Sequence, residues 1–254
     1  MKELEIFLFS LFSSTLSPIL GIGGGLLNVP FLTLYVGTSF AVATTASLLA
    51  GFCLSFSASL HNISKGKAYV GKALHLLPPV LIGSFIGPYI HFEEKILYLM
   101  FSGLLLLIAY LTLFGSIKIQ IKNQISLTFL LFLIGVASGL FGIGGGLLFV
   151  PLLMFTQGMG IKESVATSSF MAMFGMIMGF ASHALNGDFI LSIALPLAIP
   201  ALFMGYFGAY LMVEKIRKET IKKAFAGFLG LVAISMIMKS ISAGVLGGSE
   251  PPTA

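Results

Sequence analysis

Residues 17 to 32 read SPILGIGGGLLNVPFL, and residues 138 to 153 read SGLFGIGGGLLFVPLL. Each places a glycine run in the middle of apolar sequence, where glycine is a poor helix former. The chemistry such a run offers is that of bare backbone. Glycine permits positive φ, and the amides at a new helix start, around Gly24 to Leu27 and Gly145 to Leu148, can converge on a guest. A helix N-terminus carries the positive end of the dipole, so the expected guest is an anion. Gly23, Gly24, Gly25 and Leu26 in the first run, with Gly144, Gly145, Gly146 and Leu147 in the second, are the candidate contacts. In the competing reading the glycines, with Pro30 and Pro151, only permit close helix packing.

Hydroxyls and imidazoles could complete such a site. Thr44, Thr45 and Ser47, and likewise Thr167, Ser168 and Ser169, occupy comparable places in two later apolar segments, where they could donate to oxyanion oxygens or bond their own helix carbonyls. Asn28 is matched by Phe149 in the other half, so it would make the site polar on one side only; its alternative role is a helix-helix hydrogen bond. His61 and His183 end nearly equivalent segments and are candidates for proton coupling, since imidazole titrates near neutral pH, or for bonding loop backbone. His75 and His91 have no counterpart in the duplicate and receive no role.

All nine acidic residues fall in loops or at segment ends. A carboxylate proton relay or a cation pump needs Asp or Glu at membrane depth, so both are disfavoured. The lone Cys53 makes no intramolecular disulfide and has no metal-ligating companions, and no cofactor is called for. An intramembrane hydrolase is disfavoured because no Ser-Gly nucleophile motif precedes an acidic orienter.

The elements that must hold these residues are helices in a membrane. The chain has 57% hydrophobic and 9% charged residues and a mean hydropathy of +1.05, against about 25% charged in soluble domains. Apolar runs are expected at 4–20, 26–36, 38–61, 73–91 and 95–115, then at 125–141, 147–157, 163–185, 189–212 and 221–241. The first run follows acidic residues and ends in glycines, which reads as part of the mature fold rather than a cleaved signal peptide. The net charge of +5 fits lysine-rich cytoplasmic loops and gives no reason to expect nucleic acid.

A displacement of 121 superposes Gly21 on Gly142, Pro30 on Pro151, Gly66 on Gly187, Pro79 on Pro200, Gly87 on Gly208 and Tyr89 on Tyr210. A displacement of 123 aligns Val42, Thr44 and Thr45 with Val165, Thr167 and Ser168. The halves are duplicates: residues 1–120 form one membrane repeat, 121–242 the other, and 243–254 a tail, all in one membrane domain.

Charge sets how the duplicates sit. Lys65, Lys67 and Lys72 follow the third segment of the first half, whereas the equivalent loop of the second half, Asn186 to Asp188, has no Lys or Arg. The next loop of the second half instead holds Lys215, Arg217, Lys218, Lys222 and Lys223. If basic loops are cytoplasmic, that side also collects Lys118, Lys122 and Lys162, both termini lie outside, and the repeats have inverted topology. The expected fold is therefore an all-α polytopic membrane protein with two inverted-topology repeats of about five helical segments each.

The span 4–36 would be roughly 50 Å long as one helix, too long for a hydrocarbon core about 30 Å thick. It must break at the glycines, leaving a half-helix of about 16 Å over 26–36. The first helix of each repeat is accordingly discontinuous or re-entrant. Irregular backbone at that depth is tolerated only where it lines protein or a wet cavity.

Paired GIGGG-x4-P motifs, about 120 residues apart in a polytopic chain of 254 residues, resemble the TauE/SafE sulfite exporter family, also called TSUP. The resemblance covers nearly the whole chain. It implies transport of sulfite, thiosulfate or organosulfonates across a prokaryotic cytoplasmic membrane. The expected function is a secondary transporter of small sulfur oxyanions working by alternating access. Its partners would be the small anion and the lipid bilayer, and a homo-oligomer stays open. An anion-selective channel built from paired half-helices is the alternative, and a purely structural membrane subunit is the third option.

Overall fold

The computed structural model describes residues 2–20, 25–90, 92–114 and 123–215, with scattered helical positions between 220 and 238. Gly23 and Gly24, His91, the linker with Lys118 and Lys122, and the tail 243–254 lie outside the described residues.

The described chain is helical: α1 Lys2–Leu20, α2 Gly25–Phe31, α3 Phe40–Ser64, α4 Val70–Ile86, α5 Glu94–Phe114, α6 Gln124–Phe141, α7 Gly146–Gln157, α8 Ile161–Leu185 and α9 Leu191–Tyr210. Among the described residues, five spans, those of α3, α4, α6, α8 and α9, are long and apolar enough to cross a membrane. Together with the composition, they make this an integral membrane protein.

Several ends have visible causes. The α2 helix continues as a π-helical turn, Leu32–Val36, closed by left-handed Gly37. Pro30 has no N–H to give, and nearby Thr33 returns its hydroxyl to the Val29 carbonyl at 2.8 Å. Ser39 caps α3 by accepting from the Val42 N–H. After α4 the chain tightens into a 3₁₀ turn, Gly87–Tyr89, with Pro88 at its start.

The helices divide by burial. In α3 and α8, 67% of the apolar window is inside the protein, against 33% in α4 and 39% in α6 and α9. Sequence explains the division: α3 (FAVATTASLLAGFCLSFSASLHNIS) is rich in Ala, Ser and Gly, which let neighbouring backbones approach. The outer helices instead present large apolar side chains such as Leu195, Ile199, Phe203 and Phe207 outward. The central pair packs together, α9 lies along α3, and α4 lies along α8. The outer helices also cross between halves, α1 on α9 and α6 on α4. From α5, Tyr98 meets Phe40 edge-on at a centroid distance of 5.5 Å.

The cross-half contacts repeat. A Cβ on Gly87 would lie 2.5 Å from the Val136 carbonyl oxygen, and one on Gly208 would lie 2.6 Å from that of Thr15. Gly208 and Val136 each stand 121 residues beyond Gly87 and Thr15, so the two crossings are one contact made twice. Neither glycine has room for a side chain.

The displacement of 123 proposed for the threonines is not kept. The α3 and α8 helices run from 40 to 64 and from 161 to 185, a displacement of 121 at both ends. Thr167 therefore matches Ala46, and Thr44 matches Val165. A two-residue shift turns a side chain about 200° round a helix, so Thr44 and Thr167 serve different neighbours. The two glycine turns do keep register: Gly66 has φ +62° and Gly187 has φ +86°.

The central helices run in opposite directions. Tyr69, beyond the end of α3, donates its N–H to Thr167 near the start of α8 at 3.0 Å. Phe40, at the start of α3, shares a cavity with His183 at the end of α8.

Candidate functional site

The second glycine run is an irregular break between α6 and α7. Gly142 ends α6 in the left-handed region with φ +68°, its N–H returning to the Ser138 carbonyl at 3.0 Å. Gly144 and Gly145 follow with φ +67° and +69°. An L-residue with a Cβ is strained in that region, which explains glycine there. The α7 helix starts at Gly146, and the Gly145 carbonyl accepts from Leu148 and Phe149. The N–H groups of the first turn have no acceptor within their own helix.

The break is already closely packed. A Cβ on Gly144 would fall 1.7 Å from Met176 Cε, and one on Gly145 would fall 2.6 Å from Phe149 Cε2. Replacing either glycine therefore disturbs packing whether or not a guest binds. The notch over Gly144 is held by a flexible thioether, a side chain suited to yielding.

Buried hydroxyls without hydrogen-bond partners lie at this break and between α4, α6 and α8. Gly142 packs against Thr44, and the Thr44 Oγ1 is unpartnered. Ser47 donates to the Gly142 carbonyl at 3.3 Å. Ser138 and Ser84 are also fully buried and unpartnered. Both face Gly175 of α8, whose Cβ would lie 3.3 Å from Ser84 Oγ and 3.6 Å from Ser138 Oγ. A hydroxyl left bare in an apolar interior is costly, so such groups imply a polar companion.

The other sequence candidates separate. Gly25 opens α2, Leu26 and Asn28 are buried, and Asn28 Oδ1 accepts from Ser13 Oγ at 3.1 Å. That bond ties α2 to α1, which is the helix-helix role. Thr45 donates to the Ala41 carbonyl at 2.8 Å, and Ser168 to that of Val165 at 2.9 Å. Both hydroxyls are spent on their own helices. Thr167 caps the approach to α4 through Tyr69, and Leu147 lies in the first turn of α7. Of the hydroxyls singled out from the sequence, Thr44 and Ser47 stand at the break, both against Gly142.

The histidines sit at opposite ends of the bundle. His61 is buried, neither ring nitrogen has a partner, and its ring meets Tyr206 and Tyr210 edge-on at 4.9 and 5.9 Å. Neighbouring Asn62 is buried with its whole amide unpartnered. Just beyond, Lys65 pairs with Glu214 at 2.8 Å. The carboxylate holds the Lys65 ammonium above the usual lysine range. The pair is therefore intact through neutral pH, and is lost as strongly alkaline solution deprotonates the lysine or as acid protonates the Glu214 carboxylate. Lys162 donates to the Val213 carbonyl at the same end.

His183 has partners on both nitrogens, Nε2 at 3.1 Å from the Gly139 carbonyl oxygen and Nδ1 at 3.3 Å from Asp188 Oδ2. It lines a cavity of about 250 Å³ with Asn186, Asp188, Phe40, Phe92 and Leu140.

Ser84 and Ser138 were not among the sequence candidates. Ser138 carried a signal, because both glycine stretches open on serine, Ser17 and Ser138. Ser84 carried none, since only folding brings α4 to α6.

Residues 6–236 match the family described as Sulfite exporter TauE/SafE. A probable membrane transporter protein of Haemophilus influenzae is 30% identical over 88% of this chain and 94% of its own length. The probable membrane transporter protein YunE of Bacillus subtilis is 27% identical over 95% of this chain and 99% of its own. A shorter stretch, 26% of this chain, is 41% identical to Sulfite exporter TauE/SafE family protein 1 of Arabidopsis thaliana, covering 14% of that protein. No solved structure matches the chain. With a match running from α1 to α9 and through both glycine runs, the chain belongs to the TauE/SafE sulfite exporter family.

Proposed function

We propose that this protein is a secondary transporter that moves a small sulfur oxyanion, sulfite, thiosulfate or an organosulfonate, across a prokaryotic cytoplasmic membrane by alternating access between two inverted halves. The observation that carries this reading is the second break. Left-handed Gly144 and Gly145 open the α7 N-terminus, the buried Thr44 hydroxyl beside Gly142 lacks a partner, and so do those of Ser84 and Ser138, which face Gly175 of α8. Hydroxyl donors without acceptors and a helix N-terminus are what an oxyanion needs. The family name supplies the sulfur.

The antiparallel run of α3 and α8 and the reciprocal glycine crossings support inverted repeats. In this reading Lys65, Lys162 and Lys215 mark the cytoplasmic end, and both termini lie outside. The Lys65–Glu214 pair closes the cytoplasmic end, and the His183 cavity opens outward. The anion would be held first by the glycine amides and these hydroxyls, with Met176 swinging off Gly144 to admit it.

Proteoliposomes containing the purified chain test the reading. Uptake of labelled thiosulfate should saturate and should accelerate when unlabelled thiosulfate is loaded on the other side. Flux that neither saturates nor shows counterflow would favour a pore. Absence of flux with thiosulfate, sulfite and sulfoacetate alike would remove the substrate class.

A further inference from the structure

The cavity at the end of α8 is lined by an imidazole whose two ring nitrogens both face oxygen acceptors. A carbonyl oxygen only accepts, so His183 Nε2, 3.1 Å from the Gly139 oxygen, carries a hydrogen. In a neutral imidazole that leaves Nδ1 as a bare lone pair. Yet Nδ1 faces Asp188 Oδ2 at 3.3 Å, and two acceptors do not attract. The contact is favourable only when one further proton lies between them, as an imidazolium beside a carboxylate or as neutral imidazole beside a carboxylic acid.

That proton sets the charge of the cavity. With it the pair is neutral overall; without it the pair carries one negative charge beside a space of about 250 Å³. His183 and Asp188 are the only titratable side chains among those described as lining it. On the elements packed around it, Tyr89 beside Pro88, and Glu93 and Lys95 beside Phe92, are exposed. The start of α3 and the end of α6 bring Phe40, Ala41 and Leu140, none of which titrates. Asn186 adds an amide donor on the same wall, and Leu140 is two residues from the glycine break at Gly142.

Resting on the transporter reading above, we infer that this cavity is an anion-binding site distinct from the glycine break, and that it takes a small sulfur oxyanion only together with the proton shared by His183 and Asp188. The anion accepts from the Asn186 amide, and the proton offsets the Asp188 charge that would otherwise repel it. Anion and proton then travel from this end of the bundle as one unit. The imidazole at the other end, His61, has no carboxylate on its nitrogens and does not share this role.

Thiosulfate is the probe, because it stays a dianion between about pH 5 and 8, where histidine titrates. Its binding to the full-length purified protein is measured by calorimetry across that range, in two buffers of different ionisation enthalpy. The parent should take up to one proton per bound anion, with the dissociation constant rising about tenfold per pH unit at the alkaline end. Asp188→Asn removes the charge that needs offsetting, so it should bind with a flat pH profile and no proton uptake. His183→Gln keeps the carboxylate but not the proton, and should bind at least tenfold more weakly at pH 6. His61→Gln should keep the parent's pH profile. Parent binding with an unchanged pH slope in a folded Asp188→Asn overturns this inference and leaves the transporter reading standing. A parent that binds neither thiosulfate nor sulfite at any pH overturns both.

Discussion

The turns after α3 and after α8 share a backbone and differ in everything attached to it. Each helix spans 25 residues and is followed by a left-handed glycine, Gly66 or Gly187. After α3 the turn carries Lys65, bound to Glu214 at 2.8 Å, and closes over a histidine and an asparagine with no hydrogen-bond partners on their side chains. After α8 the same positions carry Asn186 and Asp188, no lysine, and a histidine bonded through both nitrogens beside an open cavity. The two turns share a left-handed glycine, and a few side chains give them opposite charge.

If the halves are duplicates in packing as well as in sequence, their matched crossings should fail together. Gly87→Val and Gly208→Val each drive a side chain into a backbone carbonyl of the opposite half. Each should cost about 1–3 kcal/mol or more of stability, read as a lower melting temperature in detergent. Gly103→Ala points into open space and should change nothing. A tolerated Gly208→Val beside a crippling Gly87→Val would break the equivalence.

Next in size is the contrast between adjacent threonines. The Thr44 hydroxyl is unpartnered beside Gly142, whereas that of Thr45 is bonded to Ala41. Thr44→Val keeps the shape and should weaken anion binding by about 1.5–3 kcal/mol, roughly ten- to hundredfold. Thr45→Val should bind like the parent. Equal behaviour of the two variants would move the site away from the break. This contrast is a cleaner probe than alanine at Gly144 or Gly145, where Met176 and Phe149 already occupy the added space.

The smallest effect concerns the closed end. Lys65 and Glu214 are both partly exposed, so Lys65→Gln should leave the melting temperature unchanged. In a chain freed of cysteine by Cys53→Ala, it should speed maleimide labelling of an Asn62→Cys reporter severalfold by loosening the closed end. An unchanged rate would mean that the ion pair does not close that end.

Helix order and the short helices were legible in the chain. The run 26–36 became α2 with its π-helical turn, 147–157 became α7, and Gly66 and Gly187 fell in matching turns. Periodicity, glycine and proline act locally, so sequence reports them. The register of α3 against α8 was misread because two short hydroxyl patterns, at Thr44 and Thr167, look alike while the helix ends keep a displacement of 121. Contacts between distant segments left no such trace. Met176 over Gly144, Ser84 beside Ser138, and Asp188 on His183 each depend on which helix faces are brought together. Asn28 was legible as a polar exception, but its partner Ser13 was not.

The claim that equivalent turns stand on opposite faces of the membrane has a direct test. In the Cys53→Ala background, single variants Lys67→Cys and Asp188→Cys are expressed in cells and treated with a membrane-impermeant maleimide, before and after permeabilisation. Asp188→Cys should label in intact cells, and Lys67→Cys only once the cytoplasmic side is opened. Labelling of both positions from the same face would contradict the inverted arrangement and, with it, alternating access between the two halves.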